Sequence, residues 1–214
     1  MNKLNNLNNL NNLNNLTALI TFYNKEIPLL ERAIESIEKF KLNYIIIDDY
    51  SSIPLKNSIK NKNIIRTSKN LKLAGSIRFG LNYIKTKYIL RMDADDILIN
   101  NPIINTNFDI NLSINNFKKP PKNIKQLIDN PAPYLGGMIS TKNIYEKIFF
   151  NNQELFDDIE AYMKILKFKY SIYSEYSWYK YTKDSNHRIS NKFDIIDKKK
   201  RLNEIFLDFY RDKK

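Results

Sequence analysis

Three short apolar runs, each stopped by a polar cluster, constrain this chain more than any other feature. Thr17–Tyr23 (TALITFY) runs into Asn24, Tyr44–Ile47 (YIII) runs into Asp48, Asp49, Tyr50, Ser51 and Ser52, and Tyr88–Met92 (YILRM) runs into Asp93, Ala94, Asp95 and Asp96. Apolar runs of this length, bounded by turn-forming residues, read as buried strands. Ile64 and Ile65 form a further short one. Between the first two runs, Ile27, Leu30, Ile34, Ile37 and Phe40 recur at helical spacing with Pro28 in the first turn, and Ala74–Tyr83 reads as a second helix. Strands that alternate with helices run parallel, because a parallel pair needs a long crossover. The expected fold class is α/β, a single domain with a mostly parallel central sheet in an α/β/α sandwich. Such sheets bind ligands beyond the carboxyl ends of their strands, which is where all three polar clusters fall.

The rest of the chain is less regular. Residues 100–133 are polar, Asn-rich and contain Pro120 and Pro121, which predicts a long excursion around the site. Leu135–Ser140 reads as a strand, Leu155–Leu166 as a helix and Ser171–Tyr181 as a Tyr-rich strand pair. From Leu4 to Leu16 the sequence repeats Leu-Asn-Asn, whose period of three builds no continuous apolar face on a helix or a strand. Residues 1–16 are therefore expected to be a low-complexity tail before a domain over 17–194. The tail lacks the basic and apolar regions of a signal peptide, so a cytoplasmic location is expected. Residues 195–214 read as a basic amphipathic helix. Its stripe of Leu202, Ile205, Phe206, Phe209 and Tyr210 suits either packing against the core or peripheral contact with an anionic membrane.

Composition narrows the chemistry. No apolar run approaches the roughly 20 residues of a membrane span. With 0 Cys the chain has no disulfide, no Cys-ligated zinc, no iron–sulfur cluster and no thiol catalysis. Lys and Arg number 35 against 23 Asp and Glu, a formal charge of +12, which favours polyanionic partners: nucleic acid, anionic lipid or a phosphorylated substrate. Part of that basicity follows from a bias toward Asn, Ile and Lys, whose codons are AT-rich. A basic nucleic-acid-binding module with tyrosines for stacking is one alternative. It gives no reason for carboxylates at strand ends, which would repel phosphate, so no nucleic acid is expected as a partner.

Asp93, Asp95 and Asp96 repel one another unless a cation neutralises them, and an all-oxygen set suits Mn²⁺ or Mg²⁺. Such an ion would bridge a diphosphate. In order along the chain, TFYN (21–24), IIIDDYS (45–51), RFG (78–80), DADD (93–96) and Asp157-Asp158 resemble the family 2 glycosyltransferases of the Rossmann-like GT-A fold. The resemblance implies transfer of a sugar from a nucleotide diphosphate-sugar, with UDP favoured, to a hydroxyl of a glycan, lipid-linked or protein acceptor. It implies inversion at the sugar and a divalent metal.

Residue by residue, the resemblance implies that Thr21, Tyr23 and Asp49 hold the nucleotide base, Tyr23 by stacking and Asp49 by accepting a base N–H. Arg78 is implied to face the donor phosphates, although its spacing departs from the commoner family pattern. Asp95 is the chief implied metal ligand, with Asp93 or Asp96 on ribose or metal-bound water; the three are not ranked by sequence. Gly136 and Gly137 match the segment lining the sugar pocket, or form a plain strand turn. Asp158 takes the position of the catalytic base, Asp157 stands where the family more often has Glu, and Glu160 is the reserve. His187 lies where the family has a loop closing over the diphosphate. It is a candidate metal ligand or a solvated loop residue, with Lys183 and Arg188 as candidate phosphate contacts. A nucleotidyltransferase is a further alternative, but Asn24-Lys25-Glu26-Ile27 is not the Gly-rich loop that class would want after its first strand.

Overall fold

The computed structural model describes residues 13–60, 63–114, 120–129, 135–149 and 157–182, together with Lys200, Glu204 and Leu207; Asp157 is described in its backbone alone. Nine strands are described: β1 Leu16–Phe22, β2 Asn43–Asp48, β3 Ile64–Arg66, β4 Tyr88–Asp93, β5 Ile97–Leu98, β6 Ile110–Asn111, β7 Ile139–Thr141, β8 Ile172–Tyr173 and β9 Tyr179–Lys180. The helices are α1 Ile27–Glu38, α2 Leu55–Ser58, α3 Lys72–Leu81, α4 Ile124–Asp129, α5 Lys142–Ile148 and α6 Asp157–Lys167. Seven strands form the main sheet in the order β3-β2-β1-β4-β7-β6-β8, and β5 with β9 forms a small second sheet. The first four strands are parallel, β7 runs antiparallel to β4 and β6, and β8 lies parallel to β6.

Alternation along the strands sorts the core into two faces. Ala18, Ile20 and Phe22 of β1, with Leu90 and Met92 of β4, meet Leu30, Ala33, Ile34 and Ile37 of α1. Leu19 and Ile89 point the other way, into a cluster with Ala74, Ile77 and Leu81 of α3, Tyr145 and Ile148 of α5, and Tyr162 and Ile165 of α6. The second face is tight where α3 crosses the sheet. A methyl group on Gly80 would stand 2.5 Å from Leu19 Cδ1 and 3.0 Å from Ile47 Cγ1, so the glycine sets the helix–sheet distance.

Several expectations change. Leu16, the last residue of the Leu-Asn-Asn repeat, is the first residue of β1 and is fully buried, while Asn15 accepts the backbone N–H of Tyr88 on its carbonyl. The strand expected over Leu135–Ser140 is shortened to β7, because Gly136 and Gly137 turn the chain and Met138 N–H closes on the Leu135 carbonyl. Ser171–Tyr181 is not a strand pair. Its two short strands join different sheets, β8 beside β6 and β9 beside β5. The excursion over 100–133 is interrupted by β6 and α4. Lys200, Glu204 and Leu207 are helical, whereas the apolar stripe expected around them lies outside the described residues. No described helix is long and apolar enough to cross a membrane.

Candidate active site

The parallel register brings the polar stops together. Thr21 lies opposite Ile47 on one side and Asp93 on the other, and Phe22 lies opposite Asp48. Asp48 is buried and spends its carboxylate on the turn that follows it: Oδ1 accepts Ser51 N–H at 2.9 Å, and Oδ2 accepts Leu55 N–H at 3.0 Å and the Arg66 guanidinium at 2.6 Å. Burial alone would raise its pKa, but the Leu55, Ser51 and Arg66 hydrogen bonds hold the carboxyl below its ordinary value. Asp49 accepts Leu71 N–H at 2.7 Å and the Thr67 hydroxyl at 3.3 Å, which anchors the entry to α3. Burial pushes Asp49 up despite those donors. Asn24 closes the gap between the β1 and β2 ends, donating its N–H to Ser51 Oγ at 3.1 Å and accepting Ser52 N–H at 2.8 Å. Tyr23 stands at this rim with 37% of its surface exposed, available to a flat ring. Arg78 sits half-buried in the last turn of α3.

Each carboxylate of the acidic cluster has a different partner. Asp95 forms an ion pair with Lys25 from the loop after β1. Asp93 receives Arg91 Nη2 at 3.1 Å. Asp96 is turned inward, accepting the Tyr179 hydroxyl at 2.6 Å and Thr182 N–H at 2.7 Å. Burial, together with the neighbouring Asp93 and Asp95, pushes the Asp96 carboxyl up to about 7. Asp96 therefore ties the β9 segment to the acidic turn, Asp95 is nearly as buried beneath Lys25, and Asp93 keeps the accessible position.

No three Asp, Glu or His side chains converge among the described residues. A nucleotide-bound Mg²⁺ or Mn²⁺ asks for less, since one or two carboxylates suffice when diphosphate oxygens and water complete the shell. Asp95 offers one such carboxylate, which the Lys25 ammonium occupies and a bound ion would have to displace. The oxygen-only donor set fits a hard divalent ion.

Asp158 reaches the same rim from the first turn of α6. Its Oδ1 lies 3.3 Å from Nη2 of Arg91, the nitrogen that also meets Asp93. Burial raises the Asp158 pKa, Arg91 opposes that rise and Asp93 adds to it. Glu160 faces away, held by Lys164 one turn on at 2.8 Å. Gly137 has φ +73°, and a methyl group there would stand 2.5 Å from Tyr179 Cβ; one on Gly136 would stand 2.5 Å from the Tyr181 hydroxyl. The two glycines thus admit tyrosine rings, and the carbonyl of Gly137 accepts the indole N–H of Trp178 at 2.9 Å. The Asp157 side chain, His187, Lys183 and Arg188 lie outside the described residues. Sequence reasoning passed over Lys25, Arg91, Tyr179 and Tyr181. One signal was present: Arg91 is the only charge inside the apolar run before DADD.

The family model described as glycosyl transferase family 2 matches residues 17–102, which is β1 through the acidic turn. S. aureus TarS 1-349 in complex with UDP-GlcNAc superposes with TM-score 0.60 at 16% identity, over 84% of this chain and 61% of that one. The mannosyltransferase PcManGT from Pyrobaculum calidifontis in complex with GDP-Man and Mn²⁺ gives 0.57 at 14% identity, over 76% of this chain and 55% of that one. The bifunctional IspDF from Campylobacter jejuni gives 0.52 at 13% identity, over 76% and 49%. The chain thus spans about half to three-fifths of these proteins, and at such identities the likeness is one of fold. No curated protein matches the sequence.

Proposed function

We propose that this chain, whose residues 17–102 match the family 2 glycosyltransferase model and whose fold is shared with the GT-A structures above, moves a sugar from a nucleotide diphosphate-sugar to an acceptor hydroxyl with inversion. The observation that carries this reading is the meeting of Asp158 with the donor-side acidic turn, two carboxylates from distant parts of the chain on one guanidinium. Direct displacement at the anomeric carbon needs such a pair of regions, one to receive the diphosphate and one to take the acceptor proton.

Tyr23 presents a face for the base and Asp49 a neighbouring carboxylate. UDP is the favoured donor nucleotide; one structural neighbour is in complex with UDP-GlcNAc and another with GDP-Man and Mn²⁺. Asp95, with Asp93 beside it, would hold Mn²⁺ or Mg²⁺, whose charge stabilises the departing diphosphate when bound. Arg78 supplies a further cation on the phosphate side. Asp158 accepts the proton of the attacking hydroxyl. Its burial raises its proton affinity toward the range a base at neutral pH requires. The acceptor is a hydroxyl of a glycan, a lipid-linked sugar or a protein on the cytoplasmic side, and the sequence of segment 195–214 suits either packing on the core or peripheral contact with an anionic membrane.

Calorimetry of UDP, GDP, CDP and TDP, with Mn²⁺ and with EDTA, tests this reading. UDP is expected to bind tightest, and Mn²⁺ to strengthen it at least about tenfold, because Lys25 and Arg91 offset Asp95 and Asp93 one for one and leave the two charges of a diphosphate to be met. Equal affinity in EDTA would remove the metal from the mechanism. Binding of none of the four would remove the donor.

A further inference from the structure

We propose that Arg91 is the positioning residue of this site: its buried guanidinium, shared between Asp93 at the end of β4 and Asp158 in the first turn of α6, holds the proton-accepting carboxylate in register with the donor-side strand end. The consequence for turnover rests on the transferase reading above; the geometry does not.

Strand alternation puts Ile89, Arg91 and Asp93 on one face of β4. Ile89 ends in the core, Asp93 emerges at the rim with a side chain 24% exposed, and Arg91 lies between them at 1%. Its backbone is pinned on both sides. The N–H donates to the Met138 carbonyl at 2.9 Å and to the Tyr145 hydroxyl at 3.1 Å, and the carbonyl accepts Gly137 N–H at 3.0 Å. The guanidinium thus projects from a backbone held by three hydrogen bonds. Asp158 stands in the first turn of α6, on a different element from Arg91, with Ile159 beside it buried in the core. A candidate base loses effectiveness steeply when misplaced by about an ångström, so an anchor from the rigid strand is what the arrangement supplies.

A purely structural buried arginine would use its forked donors fully. Here one nitrogen, Nη2, donates a hydrogen bond to Asp93 at 3.1 Å and pairs with Asp158 Oδ1 at 3.3 Å through charge alone, that oxygen having no hydrogen-bond partner among the described residues. Nε and Nη1 are buried without a hydrogen-bond partner among the described residues. Stability alone does not favour that arrangement, because unmet buried donors are costly. It does place a single cation between the two sides of the site. Burial works against the charge, yet Asp158 and Asp93 keep the guanidinium firmly protonated, so it acts as a fixed cation and not as an acid. Lysine would be a poor replacement, since its ammonium sits on a shorter, flexible stem and does not reproduce the planar group that sets Nη2 between the two carboxylates.

The test uses the full chain. Release of nucleoside diphosphate from a panel of UDP- and GDP-sugars with Mn²⁺ is measured for wild type, Arg91→Lys, Asp158→Asn and the double variant, alongside UDP affinity. Arg91→Lys is expected to bind UDP with Mn²⁺ within about threefold of wild type and to turn over at least about tenfold more slowly, and the double variant to be no slower than the slower single within about threefold. Losses that multiply in the double variant would overturn the proposal, because Arg91 would then act independently of Asp158. A parallel stability arm needs no donor: Arg91→Met should lower the melting temperature at least about 3 °C more in wild type than in Asp158→Asn. Equal losses would overturn the pairing. If Arg91→Lys folds only together with Asp158→Asn, the pairing is supported, whereas failure of both to fold makes Arg91 structural and overturns it. A wild type that releases no nucleotide from any donor but shows the stability coupling breaks the transferase reading and leaves Arg91 as an ion pair without a catalytic task.

Discussion

The two halves of the sheet hold polar side chains by different means. In the parallel half, β1, β2 and β4 are six or seven residues long, and backbone register alone sets Thr21 beside Asp93 and Phe22 beside Asp48. In the other half the strands are two or three residues long, and side chains do the joining. Ser113 Oγ accepts Trp178 and Tyr179 N–H, the Tyr179 hydroxyl bridges Asp93 N–H and Asp96, and the Tyr145 hydroxyl donates to Met138. A ladder is a cooperative scaffold that fixes where a donor can lie. A side-chain lattice is built contact by contact and can reshape the acceptor side without disturbing the ladder.

If that division is real, substitutions in the two halves should fail differently. Asp158→Asn, in the second half, is expected to lower turnover at least about a hundredfold, the low end for loss of a general base, with donor affinity nearly unchanged. Steady-state kinetics with parallel calorimetry checks it, and an equal loss in affinity would blur the division.

Asp48→Asn, in the ladder, should act on stability. Its folded pKa lies below the ordinary value of an aspartate, so the contribution is present above the unfolded pKa and is lost as pH falls through the folded value. Breaking this buried pair should cost about 3 kcal/mol at neutral pH. Thermal melts from neutral pH downward should show the gap to wild type closing in acid; a constant gap would assign the effect to shape and not to charge.

Gly137→Ala should cost about 2 kcal/mol, because its φ of +73° and the 2.5 Å approach to Tyr179 Cβ both resist a side chain. Chemical denaturation measures it. A loss below about 0.5 kcal/mol would mean that the Tyr179 ring yields readily. Smallest of the four, Tyr179→Phe should cost about 1 kcal/mol through its lost hydroxyl bridge. It should leave UDP affinity intact if Asp96 is a lattice residue; a large fall in affinity would move Asp96 to the donor.

The ladder was legible because its information is local. An apolar run followed by a polar stop marks a strand and its rim, and Asp48, Asp93 and Asp95 were found on that signal. Asp158 came from resemblance alone, since two acidic residues at a helix start carry no geometry by themselves. Arg91 escaped notice because one cation in an apolar run shows nothing of its partner until α6 is folded against the sheet. Tyr179 and Tyr181 read as strand residues, yet their hydroxyls reach Asp96 and Gly136, 83 and 45 positions away in the chain. Asp96 is equivalent to Asp93 and Asp95 in sequence, and only the folded partners, Tyr179 of β9 for Asp96, Arg91 for Asp93 and Lys25 for Asp95, separate the three.

Trp178 is the chain's single tryptophan, and it is buried with its indole N–H on the Gly137 carbonyl. The protein therefore carries its one tryptophan where the side-chain lattice meets the core on the α1 face of the ladder. Its emission should be blue-shifted and shielded from aqueous quenchers in the native state, and its red shift on heating reports the opening of that seam. Set beside far-ultraviolet circular dichroism, which weights the helices packed on the ladder, it distinguishes a lattice that loosens first from one that melts in the same cooperative step.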